Sequence, residues 1–388
     1  PGLIDLHNHS VQILFRGDFD GLPLMAWLRE TDKLYEILDS QDVFNAARLS
    51  FYEKVLCGVT SVLDMEREVD MVANAAREVG IRLFEAYAMF DQVETRKSGL
   101  ERINDIDKEL RSAEKYVRGY MSDPMVDVLL GPVGFPSSSF ELMEGSARLA
   151  RRLGVGIHSH LAENPVNDKL ARTLGFAGEF EELEKRGFFG EDVILAHTVY
   201  VDDMIIDSMA KYGVSVAHCP SSNAKLGNGV AHINKMIKRG VNVGLGTDGA
   251  ASNDSESILG EMKIASLLQR GLHRDSTIMD SQVVLDMATV NAGRALGRMD
   301  IGSIEVGKKA DIVLLDLRHP SMQPSSNLLD NIVFSADCRV VDTVIVSGKI
   351  VVRGGKLTVE EERWKKVLKE YQESRKKIES VLMHERQP

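Results

Sequence analysis

Cysteine is scarce in this chain, with three residues, Cys57, Cys219 and Cys338, in 388. Their odd number and wide spacing argue against a disulfide framework, and a reducing cytoplasm fits. Long apolar runs are also missing. No stretch approaches the roughly 20 residues that a membrane-spanning helix needs, and no secretory signal is visible. Positive charge is in deficit, 47 Lys and Arg against 58 Asp and Glu, for a net charge of −11. Binding nucleic acid requires clustered cations to neutralise phosphates, so no nucleic-acid partner is expected. Repeats and low-complexity tracts are absent. What is present is the composition of a globular protein, 44% apolar for a core and 27% charged for a surface. Pro1 stands where an initiator Met would, so the N-terminus reads as cut or processed.

Apolar β-rich runs alternate with helical patterns, as expected of βα units around a parallel sheet. Candidate strands are Leu3–Leu6, Thr60–Leu63, Arg82–Ala86, Val126–Leu130, Val155–His158, Val193–Ala196, Val214–Ala217 and Val243–Leu245. Eight is the number that closes a barrel. Asp42–Cys57 carries Val43, Phe44, Ala47, Phe51 and Val55 on one helical stripe, with Gly58 as a stop. Phe140–Leu153 and Val201–Tyr212 read the same way. The segment Asp18–Ser40 is long for a βα loop and reads as a partial lid.

After Met299 the pattern changes. Ala310–Leu315 and Arg339–Val352 read as strands, with turns at Ser347-Gly348 and Gly354-Gly355. Thr358 and Glu361 form a capping-box pattern for a last charged helix. The expected class is therefore α/β: a (β/α)8 TIM-type barrel over residues 1–300, a small β-rich portion over 301–357, and a C-terminal helix and tail over 358–388.

Potential ligands and acid–base groups follow the apolar runs in order: His7 and His9, His160 and Glu163, His197, and Asp248. Catalytic groups of a parallel barrel lie at the C-terminal strand ends. Alternate strand residues point the same way, so His7 and His9 can face one ion. A third His and an Asp complete a nitrogen-rich site suited to zinc or ferrous iron, with a position left for water. His158 and His160 share a strand phase, so geometry alone does not choose between them.

These motifs, together with His218-Cys219-Pro220-Ser221-Ser222-Asn223, Thr247-Asp248-Gly249-Ala250-Ala251-Ser252-Asn253-Asp254 and Gly302-Ser303-Ile304-Glu305-Val306-Gly307, resemble the amidohydrolase superfamily. The similarity runs from Pro1 to about Leu357. It lies in the branch of adenosine-type, guanine-type and triazine aminohydrolases. The resemblance implies one divalent metal, zinc first and iron second, held by His7, His9, His160 and Asp248. His160 is preferred because His160-Leu161-Ala162-Glu163 fits the family's His-x-x-Glu pattern. It also implies Glu163 as proton shuttle, with His197 and Asp248 beside the attacking water. A divalent cation lowers the pKa of bound water from about 16 to near 7, giving hydroxide for attack and ammonia release. Binuclear relatives carry a carboxylated Lys at the fourth strand end, where this chain has Val128-Leu129-Leu130-Gly131-Pro132-Val133 and no Lys. The resembled family also has strands preceding the barrel that would complete the small sheet, and they are missing here.

The Trp27–Glu36 pair resembles adenosine-type deaminases, in which the Trp packs on the nucleoside and the Glu takes ribose hydroxyls. Ser221, Asn223 and Asn253 are expected to line the base pocket. The expected substrate is an aminated heterocycle, an adenosine-type nucleoside first. Val133 counts against it, because those deaminases place a His in this loop. The alternatives are a triazine or guanine-type aminohydrolase or another cyclic C–N hydrolase, and last a metal-free binding or structural relative. A homo-oligomer is compatible with these features, and no membrane partner is expected.

Overall fold

The computed structural model describes residues 1–95 and 99–385. Fourteen strands are found among them, numbered in chain order. Eight are parallel and neighbours in sequence of winding: β1 (Leu3–Asn8), β2 (Val59–Asp64), β3 (Arg82–Met89), β6 (Val126–Pro132), β7 (Ile157–Leu161), β8 (Val193–His197), β9 (Ser215–His218) and β10 (Asn242–Leu245). All eight expected strands are present, and helices cover their outer face. The short hairpin β4 (Gln92–Thr95) and β5 (Gly99–Arg102) was not anticipated; its half-exposed polar residues lack an apolar run.

Period-2 alternation explains the barrel. Ile4, Leu6, Leu63, Phe84, Ala86, Leu129, Ile194 and Ala217 form one interior cluster. Their strand neighbours, among them Leu3, Val62, Leu83 and Val128, pack outward in the cluster that includes the helices. Both faces are dry, which is why the strands read as near-continuous apolar runs. β10 meets β1 at the C-terminal rim, where the Asp248 N–H donates to the His7 carbonyl at 2.9 Å. A Cβ at Gly246 would stand 2.8 Å from His7 Cβ, so only glycine permits that approach.

The helix Ser40–Leu56 buries Val43, Ala47, Phe51 and Val55, as its stripe implies, and starts in a capping box between Asp39 and Asp42. The helix Phe140–Leu153 begins and ends where expected. The next begins at Asp203 instead of Val201, because Asp202 caps it by accepting from the Ile205 N–H. The Asp18–Ser40 segment contains the helix Leu24–Tyr35.

Residues after Met299 form an antiparallel sheet of β11 (Ile312–Leu315), β12 (Val341–Val346), β13 (Lys349–Arg353) and β14 (Lys356–Leu357). Positive φ at Ser347, Gly348, Gly354 and Gly355 makes the two expected turns. A helix at Leu328–Phe334 was not anticipated. Two expectations need correction. Cys57 and Cys338 form a disulfide across 281 residues, tying the end of helix Ser40–Leu56 to the start of β12. Spacing in sequence gave no sign of it, because the fold, not the chain, brings the two together. The cysteine argument for a reducing compartment therefore falls, and Cys219 alone is free, and buried. Thr358 also does not cap the last helix: its hydroxyl donates to the Val351 carbonyl at 3.1 Å, and the helix runs Glu361–Glu385. No helix among the described residues is long and apolar enough to cross a membrane.

Candidate metal centre at the C-terminal rim

His7 is the second-last residue of β1 and His9 follows that strand; His160 lies in β7, His197 ends β8, and Asp248 follows β10. Ligand atoms of His7, His9 and His160 lie within 4.8 Å of one another, as do those of His7, His197 and Asp248. Parallel register places these strand ends at one level, so residues up to 241 apart in sequence meet at one point.

Hydrogen bonds on the far side of each ring fix which nitrogen is bare. A carbonyl oxygen can only accept, so the nitrogen facing it must carry the proton. His9 Nδ1–H donates to Met65 O at 3.0 Å, and His160 Nδ1–H donates to Val133 O at 2.7 Å. His158 Nδ1–H donates to Ile194 O at 3.1 Å, leaving its Nε2 to accept from His7 Nδ1–H at 2.7 Å. Thus His7, His9 and His160 each turn a bare Nε2 toward the same point. His158 stands behind His7 instead of among the inward-facing donors.

Burial lowers the pKa of His7 to about 4 and holds His158 and His160 well below the usual imidazole value. These rings are neutral, and their lone pairs are exposed to one another. His9 Nε2 and His160 Nε2 are 3.3 Å apart, and His7 Nε2 lies 3.4 Å from Asp248 Oδ1. The His7 Nε2 atom is buried without a hydrogen-bond partner. Facing acceptors repel unless a cation sits among them, so the donor set fits a divalent metal. Protonated outer nitrogens engaged by carbonyls or a second imidazole are the usual support of metal-binding histidines.

Asp248 is itself tightly held. Its Oδ2 accepts from Ser222 Oγ at 2.6 Å and Ser252 Oγ at 3.0 Å, and its Oδ1 accepts from Gly249 N at 2.8 Å. Its backbone is left-handed, φ 61, a conformation that a non-glycine residue keeps only when its surroundings impose it. His197 shares that feature, φ 69, and its Nδ1–H donates to Asn223 Oδ1 at 2.9 Å, so its Nε2 is bare. Glu163 Oε2 is 3.9 Å from that Nε2, and Glu163 Oε1 accepts from Asn228 Nδ2 at 2.8 Å. Burial raises the Glu163 pKa, with His197 opposing.

The residues expected to touch substrate fall in two groups, Ser221, Asn223 and Asn253 after β9 and β10, and Trp27 and Glu36 on the helix Leu24–Tyr35 and its cap. Asn223 is buried and orients His197. Ser221 and Asn253 both donate to the buried Glu261, at 2.6 and 3.0 Å, and bind the two loops to each other. Trp27 is 4% exposed inside the main core cluster, and Glu36 caps the same helix at the surface. That helix leans on the site rim, since Tyr35 Oη donates to Glu66 Oε1 at 3.2 Å and Glu66 also accepts from Val11 N. His158 was expected as a barrel-interior residue or as a partner behind the ligands, and it takes the latter place; Asn228, Ser222 and Ser252 were not assigned these contacts from sequence. Only their proximity in the fold reveals them.

A parallel barrel with four imidazoles, an aspartate and a partly buried carboxyl at its C-terminal rim defines a metal-dependent hydrolase. The chain belongs to the amidohydrolase family, whose profile matches residues 1–351. It is 38% identical over 365 residues to a 5′-deoxyadenosine deaminase of Methanopyrus kandleri, covering 94% of this chain and 83% of that protein. It is also 38% identical over 362 residues to a 5-methylthioadenosine/S-adenosylhomocysteine deaminase of Thermococcus onnurineus, covering 91% and 82%. Among solved structures, a zinc-bound adenosine deaminase from Xanthomonas campestris superposes with a TM-score of 0.92 at 27% identity, covering 98% of this chain and 85% of that one. A zinc-bound atrazine chlorohydrolase from Arthrobacter aurescens shares the fold, with a TM-score of 0.90 at 24% identity over 97% and 87%. The chain is an enzyme of hydrolysis at non-peptide C–N bonds, with a deaminase's relatives.

Proposed function

We propose that this enzyme deaminates an adenosine-type nucleoside, using one zinc ion held by His7, His9, His160 and Asp248. The carrying observation is the convergence of bare imidazole nitrogens and a carboxylate oxygen: His9 Nε2 is 3.3 Å from His160 Nε2, and Asp248 Oδ1 is 3.4 Å from His7 Nε2 and 3.8 Å from His9 Nε2. The two relatives named above, both deaminases of adenosine nucleosides, support that substrate class. The zinc in the solved adenosine deaminase supports the choice of metal.

A divalent cation held there would acidify water, bringing its pKa to about 7. The side chains supply the rest. Glu163, whose burial favours the neutral form, donates its proton to the ring nitrogen beside the amine-bearing carbon. Water oxygen bonds to that carbon, and one water proton passes to the Asp248 carboxylate, which Ser222 and Ser252 fix through Oδ2. His197 Nε2, bare because Nδ1–H is committed to Asn223, accepts a hydrogen bond from the attacking water. The Asp248 proton then goes to the amine. The C–N bond breaks, ammonia leaves, and the remaining hydroxyl proton returns to Glu163 as the ring carbonyl forms. Glu36, exposed at the end of helix Leu24–Tyr35, is free to take ribose hydroxyls, while Trp27 anchors the same helix in the core.

An aminotriazine or guanine-type base is the second reading, because the Val133 side chain offers no hydrogen-bond donor to a nucleoside. Ammonia release from adenosine, 5′-deoxyadenosine, methylthioadenosine, adenosylhomocysteine, guanine and aminotriazines separates the two. Turnover of the nucleosides is expected; turnover confined to free bases or triazines would transfer the assignment.

A further inference from the structure

One fully buried cation has no part in the chemistry above. Lys54, on the helix Ser40–Leu56, is 0% exposed and ion-pairs with Asp5 Oδ2 at 2.6 Å and with Glu256. Its ammonium also donates to Thr247 Oγ1 at 3.0 Å. Asp5 is the hub. Its Oδ2 accepts from Thr247 Oγ1 at 2.6 Å, and its Oδ1 accepts from Thr247 N at 3.0 Å and His7 N at 3.3 Å. Glu256 is fixed in turn by Ser50 Oγ at 3.1 Å.

The location of this network gives it a role. Asp5 precedes His7 by two residues on β1, and Thr247 immediately precedes Asp248 after β10. These two strands are the ends of the eight-stranded sheet, where no strand ladder joins them. Their junction at the rim rests on the Asp248 N–H to His7 carbonyl bond and on the Asp5–Thr247–Lys54 contacts. Asp248 is also in the left-handed conformation, which needs external support. A buried charge network of this kind costs desolvation and is weak evidence for stability by itself, so a role in geometry is the better account of its presence.

We propose that Lys54 is a positioning residue for the cation site, clamping Asp5 to Thr247 so that His7 and Asp248 stay within bonding reach of one ion. The proposal rests on the metal-site reading given above. Supporting residues behind a ligand shell typically change metal affinity by about 10- to 100-fold when lost.

The test measures zinc affinity by chelator competition, and the absorption spectrum of the cobalt(II)-loaded protein, on the full chain. Lys54→Met alone would strand two buried carboxylates, so the variant is Lys54→Met with Glu256→Leu, which removes cation and anion together. A second variant, Thr247→Val, keeps the Lys54–Asp5 pair but cuts the hydroxyl link to the Asp248 turn. Both, once shown folded by thermal melting, should bind zinc about 10- to 100-fold more weakly than the parent and show an altered cobalt spectrum. Should the double variant fail to fold, Thr247→Val decides. Folded variants with parental zinc affinity and cobalt spectrum overturn the proposal. A parent chain that binds no zinc overturns the metal-site reading instead, and the two failures are thereby told apart.

Discussion

His158 Nε2 accepts a hydrogen bond from His7 Nδ1 at 2.7 Å, and this one contact separates the roles of two histidines that strand phase leaves equivalent. His158 spends its other nitrogen on the Ile194 carbonyl, so it has none left for a cation. His160 spends one nitrogen on the Val133 carbonyl and turns the other to the site.

His160→Ala should therefore abolish tight metal binding, while His158→Ala should keep the site and weaken it by about 10- to 100-fold. Metal content after dialysis against a weak chelator checks both. Loss of metal from the His158 variant with retention in the His160 variant would reverse the assignment.

Glu163→Gln preserves size and the Asn228 contact but removes the transferable proton. Metal content should stay at the parental level while kcat falls by roughly two to four orders of magnitude. An unaffected kcat would remove Glu163 from the proton path.

How much of this was legible beforehand follows from where the signals lie. His7, His9, His160 and Asp248 each follow an apolar run that must be a strand, so strand-end placement could be read locally. The loop at Val133 was readable only through its side chain, whereas the structure uses its carbonyl on His160. Partners distant in sequence carried no local mark: Asn228 lies 65 residues from Glu163, and Lys54 lies 193 from Thr247. Lys54 did leave a trace, falling three residues after Phe51 and seven after Ala47, on the buried stripe of an amphipathic helix. A lysine there needs a buried anion, but the sequence does not say which one.

Glu179 offers a pH test away from the metal. It is buried beside the Ala162–Glu163 loop, and burial raises its carboxyl to about 8 from an ordinary 4.5. The folded chain thus holds this proton where the unfolded chain has lost it. Its contribution is fully present below about pH 4.5 and is lost as pH rises toward 8, by up to about 1.4 kcal/mol per pH unit. Glu179→Gln should gain stability relative to the parent between pH 5 and 8 in denaturant melts. Parallel stability curves for the two proteins would show that Glu179 does not titrate in this way.

Glu36 tests the nucleoside assignment from the ribose side. Glu36→Ala should raise KM for a nucleoside by more than tenfold, the effect of losing a charged hydrogen bond of about 1.5–3 kcal/mol, while leaving kcat on a free aminated base unchanged. An unchanged preference for nucleoside over base would exclude Glu36 from ribose binding.

The central claim is that one divalent cation sits among His7, His9, His160 and Asp248. Its most direct test is zinc titration of metal-free protein, followed together by calorimetry and by recovery of ammonia release. The geometry predicts about one tightly bound equivalent per chain, with activity rising in step and saturating at that point. Two equivalents required at the native site, or full activity in the metal-free protein, would contradict it.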